Sequence, residues 1–404
     1  MNALRYAVSA LALSLSLTAA GALGMVGATS SADAVSSVPG PVAAAAGGPA
    51  VTDPIGGAQL AAPGVIVNLG PGVPSPPAMP GASFLVADMD TGQILAARAP
   101  HTPRLPASTL KTLTALTLIP RLDASAKILV EPQDVRVEGS RVGVLAGTAY
   151  SVPTLFRGLL LASGNDAANA LARANQSVAV TLSEMNATAA DLGAFDTVAK
   201  DPSGLDKPGQ TSSAYDLALI GRAAMRLPDF RGYVSTKTAT VPGGRSSDGL
   251  TSPAFRINNH NRLLYNYQGA IGIKNGYTIA ARQTFIAAAT RAGKTYIVTE
   301  MGSANGSWRP TAALLDWAFA HGTQVTPIGE LVEPGSVKRP GLTSESDVGS
   351  SEGAHWAAPG AEALGRPALV RLPALQPWIG AAGLLSGMVL VGAFAARSIV
   401  GRRR

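Results

Sequence analysis

The chain contains no cysteine, which excludes a disulfide scaffold, a thiolate zinc site, an iron–sulfur cluster and a cysteine nucleophile together. Its four histidines, His101, His260, His321 and His355, never stand at the HExxH or H-x3-H spacing that sets two ligands on one helix face. No metal and no other cofactor is expected. Charge is also scarce: charged residues make up 14% of the chain, and 32 basic against 25 acidic side chains leave a formal charge of +7. Without basic–aromatic runs, that excess suits an anionic membrane or wall rather than nucleic acid. What is abundant is apolar: 47% of 404 residues, enough for a sizeable core and for something that leaves water.

The ends of the sequence point to export. Arg5 precedes an uncharged stretch from Tyr6 to Ser31, and Ala32-Asp33-Ala34 offers the small-x-small pattern of a signal-peptidase site. Residues 1–34 are expected to be a signal peptide, with an uncleaved anchor as the alternative. Trp378 to Ala396 carries no charged residue and would span about 28 Å as a helix, close to the hydrocarbon thickness of a bilayer. Arg397, Arg402, Arg403 and Arg404 follow, so the positive-inside rule makes 378–396 a single transmembrane helix and 397–404 a basic cytoplasmic tail, with everything upstream outside. The alternative, a buried core helix, would have to tolerate Gly380, Gly383, Gly387 and Gly392. Residues 35–81 and 326–377 are rich in Ala, Gly, Pro and Ser and read as linkers. That leaves one domain at 82–325.

Inside that domain, Ser83 to Met89 and Gln93 to Ala99 flank the turn Asp90-Thr91-Gly92, and Gln283 to Thr290 and Lys294 to Met301 flank Arg291-Ala292-Gly293. Each pair is a hairpin signal. Ser108 to Ile119, Val152 to Ala162, Ala167 to Ala174 and Ala214 to Arg226 repeat apolar residues at helical spacing. The expected class is α+β: an antiparallel sheet formed by N- and C-terminal strands, with a helical middle packed on it.

Three short strings carry candidate chemistry. Ser108 and Lys111 stand three apart at the start of a helix, so hydroxyl and amine share a face and can form a nucleophile–base pair. An N-cap serine before a surface lysine is the plain alternative, but of the eight lysines only Lys111 has a serine three positions earlier. Ser163-Gly164-Asn165 lies between two helical segments, where it either projects two short polar side chains into a cleft or caps a helix. Lys274-Asn275-Gly276 follows an apolar run, so it is expected on a strand, where the lysine can receive a carboxylate and the glycine lets a ligand approach the backbone.

In this order, Ser-x-x-Lys, Ser-x-Asn and Lys-x-Gly are the signature of penicillin-binding proteins and class A β-lactamases. The longer strings GLLLASGNDAANALA, DPSGLDKPGQTSSAYDLA and INNHNRLLYNYQGAIGIKNGYT resemble the low-molecular-mass penicillin-binding proteins of the D-alanyl-D-alanine carboxypeptidase family. The resemblance implies a β-lactamase/transpeptidase-like fold and a serine hydrolase that trims the terminal D-alanine from peptidoglycan stem peptides, with β-lactams as covalent inhibitors. It implies Ser108 as nucleophile, Lys111 as general base and Ser163 as proton relay. Asn165 would hold the substrate amide, Lys274 the terminal carboxylate, and the N–H groups of Ser108 and Tyr277 the oxyanion. Gly276 would line the substrate groove, and Arg309 would support the carboxylate.

The sequence departs from the family at Asn275, where Thr is usual, although an amide can still donate. Rival readings are a class A-like β-lactamase and an inactive binder of wall peptides. The first needs a deacylating glutamate. Between Ser108 and Lys274 only Glu131, Glu138 and Glu184 occur, none in a Glu-x-x-Leu-Asn string.

Overall fold

The apolar run from Phe285 to Ala289 has no polar face, and the fold shows why: Phe285, Ala287 and Ala289 point into one core and Ile286 and Ala288 into another. A strand buried on both sides needs no alternation. A computed structural model describes residues 53–339 except 305. Its main sheet has seven strands: β1 (Val65–Ile66), β2 (Ser83–Asp88), β3 (Gln93–Arg98), β4 (Ala270–Thr278), β5 (Arg282–Arg291), β6 (Lys294–Ser303) and β7 (Gly329–Glu330). The order is β1-β3-β2-β6-β5-β4, with β7 also on β3, and every pair is antiparallel. Sequence-distant strands β2 and β6 meet at the centre, and β4 forms an edge.

On one face lie α1 (Lys111–Leu118), α2 (Val152–Leu161), α3 (Asn165–Ala174), α4 (Val178–Asp191), α5 (Ala214–Ala224) and α6 (Pro228–Ser235); α7 (Arg309–His321) covers the other. All eight residues of α1 are buried, as befits a helix surrounded by its neighbours. Gly221 lets α5 approach the sheet: a Cβ there would stand 2.9 Å from both Ile286 Cγ2 and Ile297 Cδ1.

The expected sheet and helical middle are present, but the folded unit extends beyond 82–325 on both sides. Residues 53–81 do not hang free. Leu60, Ile66, Val73 and Met79 are buried, Trp317 Nε1 donates to Pro74 O at 2.9 Å, and Arg98 Nη2 donates to Met79 O at 2.7 Å. Proline excludes regular structure, not packing, and it lowers the entropy lost when an extended segment is fixed. Residues 326–339 are bound likewise: Ile328 N and Leu331 N donate to Ile94 O and Gly92 O, and Glu330 N to Gly56 O. The signal peptide 1–34, the helix 378–396, the tail 397–404 and the remaining linker residues lie outside the described residues. Among the described residues no helix is long and apolar enough to cross a membrane.

Candidate active site

A turn of 3-10 helix, Ala107–Leu110, leads into α1 and carries Ser108 at its start. Ala107 has φ 48°, a left-handed conformation that costs a non-glycine residue on the order of 1–2 kcal/mol. Surroundings hold it there. The Pro106 carbonyl accepts from Thr109 Oγ1 at 2.6 Å and from Thr284 Oγ1 of β5 at 2.7 Å. Gly204 packs so closely that a Cβ would fall 2.0 Å from Ala107 O. The strained turn therefore fixes Ser108, which stays partly exposed while its neighbours are buried.

Lys111 is fully buried, and its Nζ lies 2.9 Å from Ser108 Oγ, 2.7 Å from Asn165 Oδ1 and 2.6 Å from Ser203 O. Burial pushes its pKa well below the ordinary lysine value, and the Lys274 charge adds to this; Asp201 and Asp166 oppose it. The partners decide what a neutral amine would do. Ser203 O can only accept, and Asn165 presents its oxygen because its Nδ2 donates to Glu138 O at 2.7 Å. An amine has two hydrogens for those two oxygens, so its lone pair is left for the one partner that can donate, the Ser108 hydroxyl.

Asn165 opens α3 directly after Ser163-Gly164. The segment 138–143 folds over this corner: Asn165 N donates to Ser140 O at 2.8 Å, and the Asp166 carboxylate accepts from Val142 N and Gly143 N, both at 2.8 Å. Ser163 is buried with φ 58°, the second non-glycine residue of the cleft in the left-handed region. Its hydroxyl makes no hydrogen bond among the described residues, which leaves it available to a ligand.

The edge strand β4 forms the other wall. Lys274 and Gly276 are buried and alternate with half-buried Asn275 and Tyr277, which is 65% exposed. Lys274 Nζ donates to Asn275 O at 2.6 Å, and burial lowers its pKa to about 7. Gly276 presses on the nucleophile turn: a Cβ would meet Thr284 Oγ1 at 2.5 Å, Ser108 N at 2.7 Å and Thr109 N at 2.9 Å. That approach brings the backbone leading to Tyr277 beside the Ser108 amide.

The three motifs thus share one cleft. Arg309 is not tied to it: exposed at the start of α7, its guanidinium lies over the Trp308 ring at 5.3 Å. Sequence reasoning missed the Ser203 carbonyl and Thr284. The string containing Ser203 carried the resemblance, but a backbone oxygen has no side-chain signal. It also overlooked His260, whose pKa is lowered by burial and by the Lys274 charge.

Residues 72–305 match the D-alanyl-D-alanine carboxypeptidase family. A D-alanyl-D-alanine carboxypeptidase of Mycobacterium tuberculosis is 41% identical over 259 residues, which are 62% of this chain and 86% of that protein. One of Bacillus subtilis is 28% identical over 246 residues, 59% of this chain and 62% of its own length. A crystal structure of the Mycobacterium tuberculosis carboxypeptidase superposes with a TM-score of 0.60 at 41% identity, covering 65% of this chain and 99% of that one. A Streptomyces DD-transpeptidase gives 0.57 at 30% identity, covering 61% and 100%.

Proposed function

The chain belongs to the D-alanyl-D-alanine carboxypeptidase family of serine-type hydrolases, and on that premise we propose that Ser108 removes the terminal D-alanine of peptidoglycan stem peptides through an acyl-enzyme. The observation that carries the assignment is the 2.9 Å contact between Ser108 Oγ and a buried Lys111. Neutral Lys111 takes the hydroxyl proton as Ser108 Oγ attacks the carbonyl of the penultimate D-alanine. The N–H groups of Ser108 and Tyr277 receive the oxyanion, an interaction worth roughly 10²–10³ in rate. When the C–N bond breaks, the proton reaches the departing amine through Ser163, and D-alanine leaves. Water then cleaves the ester and restores Ser108. Asn165 holds the substrate amide, and Lys274 and Asn275 hold the terminal carboxylate. Arg309, exposed at the start of α7, would support that carboxylate.

β-Lactams would acylate the same hydroxyl. Steady-state release of D-alanine from a peptide ending in D-Ala-D-Ala tests the activity, and intact-protein mass spectrometry with penicillin tests the nucleophile. The expected result is D-alanine release and a stable adduct that Ser108→Ala abolishes. Rapid penicillin turnover would mark a β-lactamase instead, and neither activity a wall-peptide binder.

The domain organisation we propose rests on the composition of residues 1–34 and 378–404. An exported catalytic domain at the cell wall would be held by one helix at 378–396, with 1–34 as leader and 397–404 on the cytoplasmic side. A chain truncated before Trp378 should leave the membrane fraction after a high-salt wash; retention would place the anchor elsewhere.

A further inference from the structure

At the hairpin end of the sheet, a second cavity of about 530 Å³ opens between the end of α5, α6 and the strands. That volume lies in the range of small-molecule sites. It is not part of the Ser108 cleft. Thr290 on its wall stands six residues along β5 from Thr284, about 20 Å at 3.3–3.4 Å per residue.

The lining divides by chemistry. Met89, Met225 and Ile271 supply apolar surface, with Met225 buried. Thr290 and Thr295 occupy each other's hydroxyls at 3.0 Å. One carboxylate, Asp90, also lines the cavity, its Oδ2 accepting from Thr295 N at 3.3 Å, and against it stand three guanidinium groups, Arg222, Arg226 and Arg231. Arg222 is spent: it donates to Met89 O, Asp90 O and Glu333 Oε1. Glu333 also takes Arg226 Nη2 at 2.8 Å, so one carboxylate serves two arginines. Arg231 has no carboxylate partner among the described residues; its Nη1 donates only to the Met225 and Arg226 carbonyls, at 2.8 and 3.1 Å. These bonds leave most of the five donor hydrogens of Arg231, and those of Arg226 beyond its Glu333 bond, unused. Both side chains are exposed at the rim, and a guanidinium keeps its charge at any working pH.

We propose that this cavity binds an amphiphilic carboxylate, with its hydrocarbon body against Met89, Met225 and Ile271 and its anionic head in the fork of Arg226 and Arg231. Two terms act together: apolar area leaves water on the floor, and a planar anion takes paired N–H donors at the rim. Neither free phosphate, which lacks the body, nor an uncharged alcohol, which lacks the head, satisfies both. Ile271 stands three residues before Lys274 on β4, so an occupant touches the strand that also forms the active-site wall.

The test uses the full chain with octanoate, octanol and inorganic phosphate as probes, read by calorimetry and by melting temperature. Saturable octanoate binding is expected, at least tenfold tighter than either octanol or phosphate. Arg231→Gln should weaken it tenfold or more, and Ser235→Trp, at an exposed position of the lining on α6, should block the mouth. Both substitutions are at exposed positions, and unchanged acylation of Ser108 by penicillin would show each variant folded with its catalytic cleft intact. Absence of saturable octanoate binding, equal binding of octanol or phosphate, or full binding by Arg231→Gln would overturn the proposal. None of these results bears on D-alanine release, which is measured separately.

Discussion

Two lysines must hold opposite protonation states for the proposed reaction: Lys111 neutral to accept a proton, Lys274 charged to hold a carboxylate. Burial lowers both, Lys274 to about 7 and Lys111 well below its ordinary value. In the free enzyme kcat/KM should therefore rise as Lys111 loses its proton and fall as pH passes about 7 and Lys274 loses its own. Lys274→Arg keeps the positive charge at every pH, so its profile should keep the rising limb and lose the falling one; a falling limb that persists assigns it to another group. The same shift affects stability with the opposite preference. The unfolded chain binds the extra proton between about pH 7 and about 10.4, so the Lys274 contribution makes the fold more stable as pH rises through that window. At Asn275, Thr keeps a donor and should lose less than about tenfold in kcat/KM, or 1.4 kcal/mol. Ala leaves the carboxylate one bond short, about 1.5–3 kcal/mol, and Lys274→Ala should cost most. An Asn275→Ala enzyme as fast as wild type would remove that side chain from the site.

At the scale of elements, function depends on how β4 lies against the turn before α1. Gly276→Ala puts a methyl 2.7 Å from Ser108 N and 2.5 Å from Thr284 Oγ1, and the strand must move. Overpacking of this kind costs about 1–3 kcal/mol, while a misplacement of about 1 Å at a reacting centre can cost 10²-fold. The expected signature is a modest drop in melting temperature with a rate of penicillin acylation down about a hundredfold; an alanine enzyme acylated at the wild-type rate would refute the close-approach argument. Much of this was legible in the sequence. The two hairpins, four helices and three motifs were found because alternation, helical spacing and residue type survive without coordinates. The helix Val178–Asp191 was not, since its valines and threonines suit a strand as well and its Ser177 cap is recognisable only when seen accepting from Val180 N at 3.1 Å. Nor was the left-handed backbone at Ala107 and Ser163; at Ala107 the neighbours that hold it, Gly204 and Thr284, are distant in sequence.

For the molecule as a whole, composition misled about where the fold begins and ends. A Pro/Gly-rich segment suggests a tether, but 71–81 lies against α7 and β3, with Val73 and Met79 buried. A chain beginning at residue 82 should uncover these contacts and Trp317, and its melting temperature should fall by several degrees, at roughly 2–4 °C per kcal/mol for a domain of this size. Unchanged melting would show the arm to be dispensable.

The route of the chain at its two borders has one more consequence. Asp53 lines the same small recess as Phe195, and Arg339 donates to the Phe195 carbonyl and lies over the Phe195 ring at 5.6 Å. Entry and exit of the described residues therefore share one doorway, while the strands that enter and leave, β1 and β7, both dock on β3, at the opposite side of the sheet from β4. A pull between the two borders therefore acts first on the β3 side of the sheet, away from the cleft wall β4. The same closeness makes the fold nearly a closed ring, and cutting it between the exposed Ala292 and Gly293 after joining 53 to 339 would preserve every strand pairing in the sheet.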